Sequence, residues 1–283
     1  MSDMWITFLS VLGIAFSHYN ESFKKYNKLT LSIFKEFGFG VHSVSETRIL
    51  QEVEAMIEEI TKNNGRPFYP KWPFTFGASN VITSILLGKD FQQSSPKVHS
   101  AIIKNSAETV KCMDIALNMV PIVRFLPMFW KKIYGLRKHG KLLMDAIEVG
   151  IEFVKSNNSE PTFVGRFLEI EGNNYDHQEL LYIVRDLVFG STDTGPTTLL
   201  WAIVELANHS DIQNRFRREI DDMVPGDRLP SLDDKSRLPY TEAVILEIMR
   251  RRTIAPFMIP HGTLKDTKVL EYDVPEGSLV SVD

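Results

Sequence analysis

The segment from Asp186 to Trp201, DLVFGSTDTGPTTLLW, sets an acid beside an alcohol, Asp193 and Thr194, in an apolar frame. An acid and an alcohol within one helical turn can hold water and relay protons. Gly190 removes a side chain, so something flat and bulky can approach the backbone there. Thr194 lies four residues on, where its hydroxyl can bond back to the Gly190 carbonyl and loosen the helix. Pro196 has no N–H, so the Thr192 carbonyl loses its helical donor. These features predict a water-holding notch. A second reading is open: a kinked core helix whose aspartate pairs with an arginine.

Two further constellations follow. Glu247 and Arg250, in EIMR, share one side of a helix at i and i+3, a spacing that also describes ordinary surface pairs. APFMIPHGT, Ala255 to Thr263, follows directly. Pro256 and Pro260 stiffen it, and His261 then sits at a fixed place, able to donate to an anion. By itself it also reads as a solvated loop histidine.

The elements that must position these groups are mostly helical. DHQELLYIVRDLVFGSTDTGPTTLLWAIVELANHS is the longest helical run, with Asp176 as its cap and Asn208 near its end. A helix is expected from Ser45 to Asn63, with Ile49, Leu50, Val53, Met56, Ile57 and Ile60 on one side. A short helix is expected over Asn80 to Gly88, and another over Ser95 to Val120. Pro121 and Pro127 break up the next stretch before the pattern resumes at Trp130. DIQNRFRREIDDMV and PYTEAVILEIMRRR are two more helices. TKVLEYDVPEGSLVSV alternates and reads as a hairpin turning at Pro-Glu-Gly.

Composition bounds the rest. The 283 residues are 43% hydrophobic and 24% charged, an ordinary globular balance. A net charge of −4 argues against a general nucleic-acid binder. The lone Cys112 excludes an internal disulfide framework. The apolar stretch Met4 to Phe16 is too short to span a bilayer and has no basic leader, so it reads as a buried segment. No transmembrane helix is expected elsewhere.

In this order and spacing the three motifs resemble the cytochrome P450 family, nearest to the animal microsomal family 2 enzymes. Gly190-Ser191-Thr192-Asp193-Thr194-Gly195 is similar to the family's oxygen-groove motif. LPYTEAVILEIMR resembles its K helix. PHGTLKDTKVLEYDVPEGSLV resembles the strand and hairpin that follow, and the region from Gly13 to Val53 resembles the C and D helices. PFTFGASNVITSILLGKDF is similar to the E helix. The resemblance implies a mostly α, partial P450-type fold from about the C helix to the K helix, with a small C-terminal β hairpin. It implies one domain over residues 1–283, incomplete at both ends.

The resemblance also implies roles. Haem is the cofactor. Asp193 and Thr194 are catalytic and deliver protons to the oxygen being activated. Gly190 lies over the haem face and His261 donates to a haem propionate. Ala255 and Ile259 line the substrate pocket. Glu247 and Arg250 form a structural pair that locks onto a later arginine. The implied reaction inserts one oxygen atom into an apolar organic substrate such as a fatty acid, steroid or xenobiotic. Its electrons come from NADPH through a flavoprotein reductase, at the cytoplasmic face of the endoplasmic reticulum, with no membrane anchor in this chain.

Departures from the family pattern are expected to weaken haem binding. The family's Phe-x-x-Gly-x-Arg-x-Cys-x-Gly loop does not occur here, so no residue is assigned as a metal ligand. Cys112, in TVKCMDI, lies far upstream of the loop's place. The family's Trp-x-x-x-Arg becomes Phe23 and Asn27, and the oxygen groove carries Ser191 and Gly195. A non-catalytic truncated isoform or gene remnant, acting through protein partners, is the alternative function. An unrelated helical binding protein is a third. With one wall missing, an exposed apolar helix face and poor solubility are expected.

Overall fold

The computed structural model describes residues 12–38, 44–114, 117, 121–157, 161–226, 228–256 and 261–281. Two compact units emerge, Met1–Leu200 and Trp201–Asp283, and their boundary falls inside the longest helix.

In the first unit the helices are α1 (Glu21–Glu36), α2 (Val44–Thr61), α3 (Lys71–Leu87), α4 (Lys89–Ser94) and α5 (Pro96–Cys112). Then come α6 (Pro127–Ser156), α7 (Phe163–Glu171) and α8 (His177–Asn208), which runs on into the second unit. Their buried faces make one core. Ile33, Leu86, Phe91, Ile102, Leu143, Ile147, Phe163, Phe167, Ile183 and Val188 belong to it. Rings join α1 to α7: Tyr26 stacks on Phe167 and Phe34 meets Phe163, with centroids 5.8 and 5.4 Å apart.

Local chemistry sets the helix ends. Asn20 Oδ1 accepts from the Phe23 N–H at 2.8 Å and starts α1. Asp176 Oδ1 accepts from the amides of Gln178 and Glu179 at 2.9 and 3.2 Å, capping α8 as its position predicted. Gly88, at φ 90°, ends α3. Pro127 sits in the first turn of α6, where its missing N–H costs nothing.

Several boundaries differ from the sequence reading. The helix expected over Asn80–Gly88 starts at Lys71. The one expected to reach Val120 stops at Cys112, because Met113 turns extended (ψ 141°). The helix expected from Ser45 starts at Val44, and the Ser45 side chain lies outside the described residues. On the side of α2 read as apolar, Leu50, Val53, Met56 and Ile60 are half-buried, Met56 against Gly77 of α3, while Ile49 and Ile57 are exposed; among the described residues of α2 the buried side chain is Arg48, donating to the Ser84 carbonyl at 2.6 Å. Of the Met4–Phe16 stretch, residues 4–11 lie outside the described residues.

The second unit holds the end of α8, α9 (Ser210–Met223) and α10 (Pro239–Arg251). Two small antiparallel sheets follow. Strand β1 (His261–Gly262) pairs with β4 (Leu279–Val280), His261 opposite Val280. Strand β2 (Thr267–Val269) pairs with β3 (Tyr272–Val274), Thr267 opposite Val274. The β2–β3 pair turns at Leu270–Glu271, with Leu270 at φ 56°. Pro-Glu-Gly turns as read, between β3 and β4: the Ser278 N–H donates to the Pro275 carbonyl at 3.3 Å, with Gly277 at φ 77°. This turn closes on Thr263, whose Oγ1 donates to the Pro275 carbonyl at 2.7 Å and accepts from the Ser278 N–H at 3.0 Å.

Candidate functional site: the notch in α8

Helix α8 changes character along its length. Leu180, Ile183, Val184 and Val188 are fully buried, as a core helix requires. From Gly190 onward one side of the helix is open, at Gly190, Thr194 and Gly195, while Thr192 and Pro196 stay buried. A Cβ built on Gly190 or on Gly195 would touch nothing within 4 Å. Thr194 is exposed and its Oγ1 donates to the Gly190 carbonyl at 2.7 Å, the back-bond that the spacing predicted. Thr192 Oγ1 makes the same kind of bond to the Val188 carbonyl at 2.7 Å, and Thr198 Oγ1 to Thr194 at 2.9 Å. Pro196 stands within this stretch, buried, without ending the helix. The opening, the alcohol and the acid fall within one turn.

Asp193 is half-buried, and among the described residues it forms no ion pair. The reading of a kinked core helix with an arginine-paired aspartate fits Asp186 instead. Asp186 Oδ1 accepts from its neighbour Arg185, through Nε at 3.0 Å and Nη2 at 2.5 Å, with both side chains buried. Its other oxygen accepts from the backbone N–H groups of Ile14 and Ala15, both at 2.9 Å. Glu179 takes the preceding amide, Gly13, at 2.9 Å, and accepts from Ser22 Oγ at 3.1 Å. Gly13 needs φ +90°, and a Cβ there would stand 2.5 Å from Asp186 Oδ2. This carboxylate clasp escaped the sequence reading. Its one sequence signal is Arg185-Asp186 inside an otherwise apolar run.

The other expected site residues lie in the second unit. Arg250 donates to Glu247 through Nε and Nη2, both at 2.7 Å, and the pair is exposed on α10. The Arg250 hydrogen bond holds the Glu247 carboxyl below the usual range. Ala255 is exposed just beyond α10, and Ile259 lies outside the described residues. His261 is exposed on β1. An apolar groove of about 230 Å³ runs between the end of α8, α9 and α10, lined by Leu206, Ile212, Val244 and Ile248, and includes neither Ala255 nor His261.

A profile of the family described as Cytochrome P450 matches residues 9–283. The chain belongs to the cytochrome P450 family. It is 30% identical over 281 residues to "Cytochrome P450 2U1" of Rattus norvegicus, covering 95% of this chain and 53% of the relative. It is 26% identical over 277 residues to "Vitamin D(3) 25-hydroxylase" of Sus scrofa, covering 94% of this chain and 55% of that protein. A zebrafish cytochrome P450 solved with progesterone superposes with a TM-score of 0.81 at 24% identity, covering 96% of this chain and 64% of that one. The mostly α, P450-type fold read from the sequence is therefore the observed one. The chain spans about half the length of the curated relatives it matches.

The residues present do not compose a haem site. A P450 haem needs a thiolate ligand. The one cysteine here, Cys112, is half-buried at the end of α5 against Gly135 of α6, and burial pushes its thiol up, away from the thiolate form. At the positions where the family sets an indole and a cation, Phe23 packs on the Tyr19 ring, 5.7 Å between centroids, and Asn27 carries no charge. Among the described residues no helix is long and apolar enough to cross a membrane.

Proposed function

We propose that this chain carries the oxygen-groove half of a haem-thiolate monooxygenase. In this reading the whole enzyme inserts one oxygen atom into an apolar organic substrate such as a fatty acid, steroid or xenobiotic. The observation that carries it is the α8 notch: an open Gly190, a back-bonded Thr194 and a half-buried Asp193 within one turn. Asp193 and Thr194 hold and pass protons there. By family resemblance Gly190 and His261 would be the cofactor-binding residues of the whole enzyme, Ala255 and Ile259 would line its substrate pocket, and Glu247 with Arg250 would form a structural pair. Haem is the cofactor of the whole enzyme, electrons reach it from NADPH through a flavoprotein reductase, and the enzyme works at the cytoplasmic face of the endoplasmic reticulum. Family membership supports these assignments.

A second reading is favoured by Cys112, Phe23, Asn27, Ser191 and Gly195: the 283 residues act without catalysis, as a partner of full-length relatives. Haem titration of the folded chain separates the two. A thiolate-type spectrum of the reduced carbon monoxide complex removes the non-catalytic reading for this chain. A folded chain that takes up no haem supports it. Sequencing the transcript through both ends then decides whether the thiolate loop belongs to the same protein.

A further inference from the structure

A group of metal-ligating side chains lies away from the notch, inside the first unit. Glu148 and Glu152 stand one turn apart on α6, and His177 opens α8. One ligand atom from each, two carboxylate oxygens and an imidazole nitrogen, lie within 4.8 Å of one another. His177 Nε2 already stands 2.9 Å from the Glu148 carboxylate. The bases of these side chains are rigid. The adjoining face of α6 buries Ile147 and Ile151 completely, and the Asp176 cap and buried Leu180 fix the start of α8. The Tyr175 ring meets the His177 ring edge-on, 6.2 Å between centroids.

We propose that Glu148, Glu152 and His177 bind a divalent transition-metal ion, best matched by zinc, that ties the middle of α6 to the start of α8. One imidazole with two carboxylates suits zinc or cobalt, whereas magnesium and calcium take oxygen-only sets. Three protein ligands leave a position for water, and the partial exposure of all three side chains supplies it. Ligands about 2.0–2.2 Å from zinc stand roughly 3.3–3.5 Å apart in a tetrahedron, so small rotamer changes close the present spacing. The competitor is Lys155, whose Nζ donates to Glu152 Oε1 at 2.6 Å and lies 5.4 Å from the Tyr175 ring centroid. It makes an exposed i,i+3 pair of the kind that contributes little. The incoming dication takes over its charge role. The inference is independent of haem chemistry and of the family reading.

Calorimetric titration of the whole chain with zinc ions, and the visible spectrum with cobalt ions, test the site. One equivalent is expected to bind and to raise the melting temperature, since the ligands come from two elements that only folding brings together. His177→Gln, Glu148→Gln and Glu152→Gln should each weaken binding by at least about tenfold. Lys155→Met should tighten it. All four side chains are partly exposed, and far-ultraviolet circular dichroism checks that each variant stays folded. Binding that is unchanged in His177→Gln places the zinc elsewhere and overturns the proposal. Binding absent from the wild type, or weakened by Lys155→Met, overturns it as well.

Discussion

The two units of this chain are held together by different physics. In the first, Ile33, Leu86, Phe91, Ile102, Leu143, Phe163 and Ile183 are all fully excluded from water. In the second, the buried apolar side chains are Val224, Leu238 and Ile248, each still 6–7% exposed, while Ile203, Val204, Leu246 and Met249 face solvent. Charge does more of the work there. Asp234 accepts from Arg228 at 2.6 and 2.8 Å and also from Arg237, and its carboxyl is held far below the usual range, first by Arg228. Arg252 reaches Glu205 at 2.5 Å and lies 4.5 Å from the Trp201 ring centroid. Glu219 accepts from the amides of Tyr240 and Thr241 at 2.9 and 2.6 Å. Exposed ion pairs are screened by salt, whereas apolar burial has no charge interaction to screen.

Asp186→Ala tests the exception, a buried ion pair inside the apolar unit. Removing the carboxylate takes the acceptor from buried Arg185 and from the amides of Ile14 and Ala15, and should cost about 3–5 kcal/mol in urea unfolding. Amide exchange at Ile14 and Ala15 should rise with it. A loss below about 1 kcal/mol, the range of surface pairs, would make the clasp incidental.

Gly135→Ala probes the packing of α5 on α6. Its new Cβ would stand 2.4 Å from Cys112 Sγ. Overpacking of this kind should cost about 1–3 kcal/mol, read as a lower urea midpoint. The double variant with Cys112→Ala should recover part of it.

Gly190→Ala goes the other way. No atom lies within 4 Å of the added methyl, so helix propensity alone should stabilise the chain by about 0.5–1 kcal/mol. In a haem-loaded, full-length protein the same methyl should weaken substrate binding. Stabilisation with unchanged binding would separate the notch from the substrate space.

Acid should split the units by pH. Burial pushes His99 below the ordinary histidine value, and its Nε2 stands 2.9 Å from Thr83 Oγ1. The unfolded chain therefore binds this proton first, and the first unit should lose stability as pH falls below about 6.5. In the second unit Glu205, Asp234 and Glu247 are all held below their ordinary values, chiefly by Arg252, Arg228 and Arg250. Their contribution should persist until pH drops below about 4, where the unfolded carboxylates take up protons. His99→Gln should flatten the upper step and leave the lower one. Raising salt at neutral pH should give the smallest effect, a modest loss that is a larger fraction of the stability of the second unit, since the first also has exposed pairs such as Arg166 with Glu36 but rests on a fully buried core.

Local signals were legible in the sequence because they act over a few residues. The Asp176 cap and the Thr194 back-bond each follow from one side chain and its near neighbours, whereas Pro127, read as a breaker, opens α6. The apolar period of α2 marks a stripe and not what covers it, so Met56 meets Gly77 of α3 while Ile49 and Ile57 stand exposed. The Pro-Glu-Gly turn was legible from its residue types, whereas the turn at Leu270 went unread because Leu270 adopts a left-handed conformation that glycine usually supplies. The clasp was beyond reach, since Asp186 meets amides that no pattern ties to it. The notch itself was read from spacing, and the family supplied its chemistry.

That clasp also has a consequence for synthesis. Ile14 and Ala15 meet a carboxylate 172 and 171 positions later in the chain. At about 5–20 residues per second, the ribosome keeps these amides waiting roughly 10–30 s. Until Asp186 emerges, Ile14 and Ala15 have no final partner, so this segment is secured long after it is made.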